Sequence, residues 1–335
     1  MRLLPILVVV LLGSAPVCQQ QPPASPTSPA PRIGVFFWHD SPNDLAAFAG
    51  IKAGLERAHI GGEFLERHAG SDPARATAAL RTLRAAGCDL VFAMGTQSAL
   101  LAKDALPDVP IVFAAVSNPV ASGVVPSWDG SGSRLCGASN WIAPRNVLDV
   151  FCIAVPDLKH LGILRSADAG VVSKAELQTM QAWLRQDASH GVELFEAVAA
   201  DAADIPRALS TLLDRNIDAL WIPIDITVYG NLELVQRTLG ERRLPLLSTA
   251  AAAVRQGAVV GAIADYELHG RRAAAMAVAI LRDGAVPGRL PVDRMQGSLV
   301  VANLGTARAL GLELPLSLLV LADQLIESEA RYGGR

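Results

Sequence analysis

The sequence predicts an α/β protein built as two doubly wound lobes, each a parallel sheet covered on both faces by helices. Three observations predict it. Short apolar runs alternate with segments of helical periodicity, the signature of buried parallel strands joined by crossover helices. The alternation runs over 33–116 and restarts over 160–263, which implies two sheets. Finally, 335 residues with 51% hydrophobic and 18% charged side chains supply enough material for two cores. That balance excludes intrinsic disorder. Aromatic content of 5% beside abundant alanine fits a helix-rich chain better than a sandwich or barrel.

Each element follows in order. Ile33-Gly34-Val35-Phe36-Phe37 is the first strand, and Leu45 to His59 has helical periodicity. Glu63 to Arg67 reads as a strand. Asp72-Pro73 opens a helix with an N-cap and a proline at the first position, and the helix stops at Gly87. Leu90 to Met94 is a buried strand, Gly95-Thr96-Gln97-Ser98 turns into a helix, and Pro110 to Val116 is the next strand. In the second run, His160–Leu164, Val192–Phe195, Ala219–Pro223, Pro245–Ser248 and Val259–Ile263 are strands. Helices are expected at 174–190, 205–216 and 231–239.

Charge and hydropathy restrict the function. Lys and Arg total 29 against 32 Asp and Glu, a net charge of −3, and no basic run occurs, so no nucleic-acid partner is expected. Leu3–Leu12 is the one continuously apolar stretch and is too short to span a bilayer, which excludes a polytopic membrane protein. With Met1-Arg2 before it and Gly13-Ser14-Ala15 after it, this stretch reads as a secretory signal peptide over 1–17. Cys18 follows, where a bacterial lipoprotein carries its lipidated cysteine, although Pro16 and Val17 are not the small residues usual before it. Residues 18–31 form a Pro/Ser/Gln tether that cannot pack. Lipid anchoring through Cys18 and cleavage with release both stay open, and that anchor is the sole membrane link expected. The other cysteines, Cys88, Cys136 and Cys152, form no C-x-x-C pair and no metal-ligand spacing, so neither metal nor cofactor is expected. They read as separate buried thiols, with a disulfide between two of them as the alternative.

Ligands of open α/β sheets bind beyond the carboxyl ends of the strands, and two lobes with facing loops make a cleft. The polar insertions at those ends are 38–44, 95–98, 117–119, 166–168, 224–227, 248–249 and 265–266. Here a resemblance becomes specific. Gly95-Thr96-Gln97-Ser98-Ala99 is followed by Ile111-Val112-Phe113-Ala114 and Ser117-Asn118-Pro119-Val120-Ala121-Ser122-Gly123-Val124-Val125. Later come Asp218-Ala219-Leu220-Trp221-Ile222-Pro223-Ile224-Asp225, Gly270 with its alanine-rich helix, and Ile280-Leu281-Arg282-Asp283-Gly284 leading to Pro287-Gly288-Arg289-Leu290-Pro291-Val292. The last motif is Leu299-Val300-Val301-Ala302-Asn303-Leu304-Gly305-Thr306-Ala307, with Leu310-Gly311-Leu312 and Pro315. In this order, over roughly 32–328, the chain resembles the ABC-transporter substrate-binding proteins whose members bind aromatic amino acids such as tryptophan. Asn118-Pro119-Val120 stands where that family usually has Asp-Pro-Val, and Gly132 to Gly137 departs from its usual Gly-Gly-Asn-Val-Thr-Gly.

The resemblance implies the type I periplasmic binding fold, with three crossings between lobes at a hinge. The N-terminal lobe would be 32–140 plus 266–285, and the C-terminal lobe 141–265 plus 286–328. It also implies a small-molecule ligand trapped by lobe closure, and an ABC permease and ATPase as partners.

Candidate ligand contacts follow from the loops. Thr96, Gln97 and Ser98 begin a helix, whose free N–H groups and positive dipole end suit a carboxylate, with capping by Thr96 as the simpler role. Ser117 and Asn118 either bond a ligand or close a turn. Asn140 either bonds ligand or braces the hinge, and Trp141 either stacks on a ring or packs between lobes. Asp225 suits a ligand ammonium in a partly dry cleft, with Asp265 as its competitor and Tyr266 beside a hinge. Trp38 could wall an aromatic ligand, and His39 reads as a solvated loop residue. No G-x-S-x-G, no H-E-x-x-H and no Gly-rich loop with Lys-Ser/Thr occurs, and the six histidines are scattered, so a catalytic set is not expected. A ligand sensor for a signalling partner, or an α/β enzyme without a recognisable motif, are the alternatives to transport.

Overall fold

The computed structural model describes residues 30–169, 171–187, 190–239 and 242–327. The signal-peptide and Cys18 readings, and nearly all of the tether, lie outside the described residues.

The first sheet is assembled from β1 (Arg32–Phe37), α1 (Pro42–Arg57), β2 (Glu63–His68), α2 (Pro73–Ala85), β3 (Leu90–Met94), α3 (Thr96–Ala105), β4 (Ile111–Val116) and β5 (Leu135–Ser139). The chain then crosses into α4 (Pro144–Ala154), β6 (His160–Ser166), α5 (Val171–Gln186), β7 (Glu193–Ala199), α6 (Ile205–Leu213), β8 (Ala219–Ile222), α7 (Ile226–Tyr229), α8 (Leu232–Leu239), β9 (Leu246–Ser248), α9 (Ala251–Arg255) and β10 (Val260–Ile263). It returns for α10 (Tyr266–Leu281) and β11 (Asp293–Arg294), and crosses a third time into β12 (Leu299–Asn303), α11 (Leu304–Leu310), α12 (Leu316–Leu321) and β13 (Gln324–Ile326).

The strand orders are β11-β5-β4-β3-β1-β2 and β13-β12-β10-β9-β8-β6-β7. In both sheets the second strand lies outside the first and the later strands extend the other way. That order creates a topological switch point at the carboxyl ends, where α/β sheets leave a crevice. Two lobes of doubly wound sheet with three crossings are therefore present.

Local chemistry explains why the elements start and stop where they do. Asp72 caps α2 by accepting from Arg75 N–H at 2.8 Å, Pro73 sits in the first turn, and Gly87 has φ +63° just past the end. Val35, Phe36, Phe92 and Phe113 are fully buried in the first core, and Leu161, Ile163, Leu220 and Leu247 in the second. Gly270 lets α10 approach α1 closely: a Cβ there would lie 1.8 Å from the Ala47 carbonyl oxygen.

Several expectations need correction. The lobe division at 285/286 moves, because Asp293 and Arg294 pair in register with Ala138 and Ser139 of the first sheet. The second sheet is not wholly parallel: β12 enters after the third crossing and pairs antiparallel with β10. The helix expected at 174–190 is Val171–Gln186, and the one expected at 205–216 ends at Leu213, with Asn216 in a left-handed turn at φ +51°. β5 was not anticipated because its sequence, Leu-Cys-Gly-Ala-Ser, lacks a β-branched run. Cys88 and Cys136 are buried free thiols as expected, whereas Cys152 is half-buried. Among the described residues no helix is long and apolar enough to cross a membrane.

Candidate functional site

A small cavity of about 30 Å³, partly open to solvent, lies among strand ends of both sheets. The first sheet contributes Ser117, just past β4, and Asn140, just past β5. The second contributes Trp221 on β8, Ile224 beyond it, Thr249 beyond β9 and Ala264 beyond β10. Trp141 and Ile142 come from the first crossing, and Tyr266 starts α10 after the second. One side of α4 adds Pro144 and Val147, and one side of α5 adds Glu176, Thr179 and Met180.

Glu176 is the charged group of this wall. Its Oε2 accepts from the Ile224 N–H at 3.2 Å and the Thr249 hydroxyl at 3.3 Å. Burial pushes its carboxyl up to about 7, and those two long hydrogen bonds only partly oppose the shift. Tyr266 is held phenolic by burial and by the carboxylates of Glu176 and Asp44. The Asn140 amide donates to the Tyr266 hydroxyl at 3.1 Å and so ties the first crossing to the second. Its carbonyl oxygen Oδ1 is buried without a partner, as is the indole N–H of Trp221. Unsatisfied buried polar atoms are uncommon and call for an explanation. Trp141 stands 5.9 Å from the Trp128 ring, which in turn lies under the Arg294 guanidinium at 4.5 Å.

Ser117 and Asn140 are thus brought together at the cavity, with Trp141 and Tyr266. The remaining candidates are placed elsewhere. Asp225 is 2% exposed: its carboxylate accepts from the Ser166 N–H at 2.7 Å, the Ser166 hydroxyl and the Val228 N–H at 3.1 Å. It braces the end of β6 and caps α7. Asp265 caps α10 through the Leu268 N–H at 2.8 Å. Asn118 closes a turn by accepting from the Ala121 N–H at 3.0 Å. Ser98 accepts from the Trp38 N–H at 2.8 Å and anchors that loop, while Trp38 packs against the first core. Thr96 does not cap α3. The cap is Gly95 at φ +85°, without a side-chain bond, and Gln97 is exposed. Neither Trp38 nor any of Thr96, Gln97 and Ser98 lines the cavity.

Sequence reasoning missed Glu176, Thr179 and Met180. The signal was available: with Trp183 they sit at i, i+3, i+4 and i+7 of α5, a carboxylate set in a helix's inward stripe. It also missed Asp44, which is 3% exposed, accepts from the Ser41 hydroxyl at 2.7 Å, and has its carboxyl raised by burial. Among the described residues no group of three or more His, Cys, Asp or Glu is arranged to hold a metal ion.

Two doubly wound lobes joined by three crossings, with a small cavity at their strand ends, define a two-lobed solute-binding protein. Residues 32–326 match the family model described as ABC transporter substrate binding protein, and the chain belongs to that family. A tyrosine-binding protein of Clostridioides difficile (strain R20291) is 26% identical over 225 residues, 67% of this chain and 64% of that protein. The match therefore spans less than two thirds of that relative's length. A domain from Streptococcus pneumonia solved in complex with L-Trp superposes with a TM-score of 0.71 at 24% identity, covering 88% of this chain and 99% of that one. A ligand-free, open substrate-binding protein with adhesive properties from Clostridium difficile gives 0.79 at 24% identity with the same coverage. These likenesses establish the type I periplasmic binding fold expected from the sequence.

Proposed function

We propose that the protein is an extracytoplasmic receptor for an ABC importer and that it traps one aromatic amino acid between its lobes. The observation that carries this reading is the cavity in which Glu176 meets Trp141, Trp221 and Tyr266 at the strand ends. A carboxylate in a poorly solvated wall suits an α-ammonium, and the rings suit a flat apolar side chain. Glu176 takes the ammonium role first expected of Asp225, whose oxygens are already occupied by Ser166 and Val228. Asn140 Oδ1, without a partner inside the protein, is a second acceptor. Closure of the lobes about the three crossings would enclose the ligand.

The tyrosine-binding relative and the L-Trp complex support the ligand class. The apolar Leu3–Leu12 stretch supports export, and Cys18 with its Pro/Ser tether supports a lipid anchor. Permease and ATPase subunits are the partners this role requires. Calorimetric titration with L-tyrosine and L-tryptophan tests the reading. One site per chain with release of unaltered ligand is expected; absence of binding by both, or their chemical conversion, contradicts it.

A further inference from the structure

We propose that this site recognises its ligand as a cation, so that arylalkylamines lacking a carboxylate are ligands alongside the amino acids; this rests on the cleft reading above. The cavity wall carries one carboxylate, Glu176, and no Lys, Arg or His among its lining residues. A second buried carboxylate, Asp44 of the first lobe, acts on the same Tyr266 hydroxyl as Glu176 does. Negative charge thus bears on the Tyr266 side of the cavity from both lobes. His39, more than half exposed, lies 3.9 Å from Asp44 and outside the cavity wall.

Acceptors and donors on the wall are unevenly available. Glu176 has both its hydrogen bonds on Oε2, which leaves Oε1 for a ligand. Asn140, 8% exposed, holds an acceptor oxygen with no protein partner. An ammonium has three N–H donors for such a pair of acceptors, and aromatic rings such as those of Trp141 and Tyr266 on the wall attract cations. The donors are neutral, and three are committed: the Thr249 hydroxyl to Glu176, the Thr179 hydroxyl to the Ala175 carbonyl, and the Asn140 amide to Tyr266; the indole N–H of Trp221 is a neutral donor without a protein partner. A ligand carboxylate entering this wall meets neutral donors and like charge, and it loses its hydration. An amine meets the same acceptors without that cost. The start of α3, the cationic end of a dipole that would have favoured a carboxylate, contributes no residue to the wall.

Titration calorimetry of the full chain tests this with two matched sets: L-tryptophan, tryptamine and 3-indolepropionate, and L-tyrosine, tyramine and 3-(4-hydroxyphenyl)propionate. In the better-bound set, the amine is expected within tenfold of the amino acid and at least a hundredfold tighter than the acid. An amine more than tenfold weaker than its amino acid, or less than a hundredfold tighter than the acid, overturns the proposal and leaves the amino-acid reading standing. Failure of all six compounds overturns both.

Discussion

Two carboxylates at the carboxyl end of the second sheet have opposite fates. Asp225 follows β8 directly and is captured by the protein: Ser166 and Val228 saturate its oxygens with close backbone and hydroxyl donors. Glu176 arrives from the inward face of α5, meets two long hydrogen bonds on one oxygen, and keeps a carboxyl raised by burial to about 7. The difference is one of approach. A carboxylate at a strand-to-helix junction is within reach of the next helix's free N–H groups and becomes its cap. A carboxylate carried in on a helix face meets such donors only at long range and on one oxygen, and its other oxygen stays available. Asp265, which caps α10, follows the first pattern.

The comparison can be broken or sharpened by substitution. Glu176→Gln should weaken an aromatic amino acid by about 30-fold or more, since truncating one partner of a buried charge pair costs about 2–5 kcal/mol. Calorimetry reads this directly, and a loss below threefold would end the assignment. His269 extends the logic to a base: it is fully buried, neither ring nitrogen has a hydrogen-bond partner, and burial lowers it to about 4. Its folded-state value lies below its unfolded 6.5, so the unfolded chain takes up the proton first and stability is lost as pH falls from about 6.5 to about 4. The difference amounts to roughly 3 kcal/mol at about 1.4 kcal/mol per pKa unit. Relative to wild type, His269→Leu should be more stable in urea at pH 5 than at pH 7. Wild type is the necessary reference, because Glu176 carries the opposite slope between about 4.5 and 7.

Asp225→Asn should lower stability by about 1–3 kcal/mol, because an amide NH₂ would face the Ser166 N–H, yet leave ligand affinity within threefold. A 30-fold affinity loss in a stably folded Asp225→Asn protein would reverse the roles of the two carboxylates. Tyr266→Phe gives the smallest effect, a few-fold loss of affinity as the Asn140 amide loses the oxygen it donates to. A gain of affinity there would show that Asn140 is better freed than held.

Much of this was legible before the structure. Strand ends were readable from apolar runs punctuated by polar residues, and four of the seven marked loops supply cavity residues: Ser117, Ile224, Thr249 and Tyr266. Individual side chains were harder. Asp225 looked like a ligand group because sequence does not reveal that Ser166, 59 residues away, fills its oxygens. Thr96 looked like a cap because the left-handed Gly95 turn depends on tertiary context. Glu176 was not singled out because helix periodicity does not say what the helix faces. The fold is written in repeated patterns, whereas the site depends on which donors happen to be near each acceptor.

Proton release on binding tests the assignment of Glu176 most directly. If its carboxyl, raised to about 7, meets the ligand ammonium, binding at pH 6 must convert it from protonated to ionised. Titration of wild type at pH 6 in two buffers of different ionisation enthalpy should then report close to one proton released per ligand, with affinity falling nearly tenfold per unit as pH drops further. Glu176→Gln should release none. No proton released by wild type, or equal release by the variant, would contradict the account.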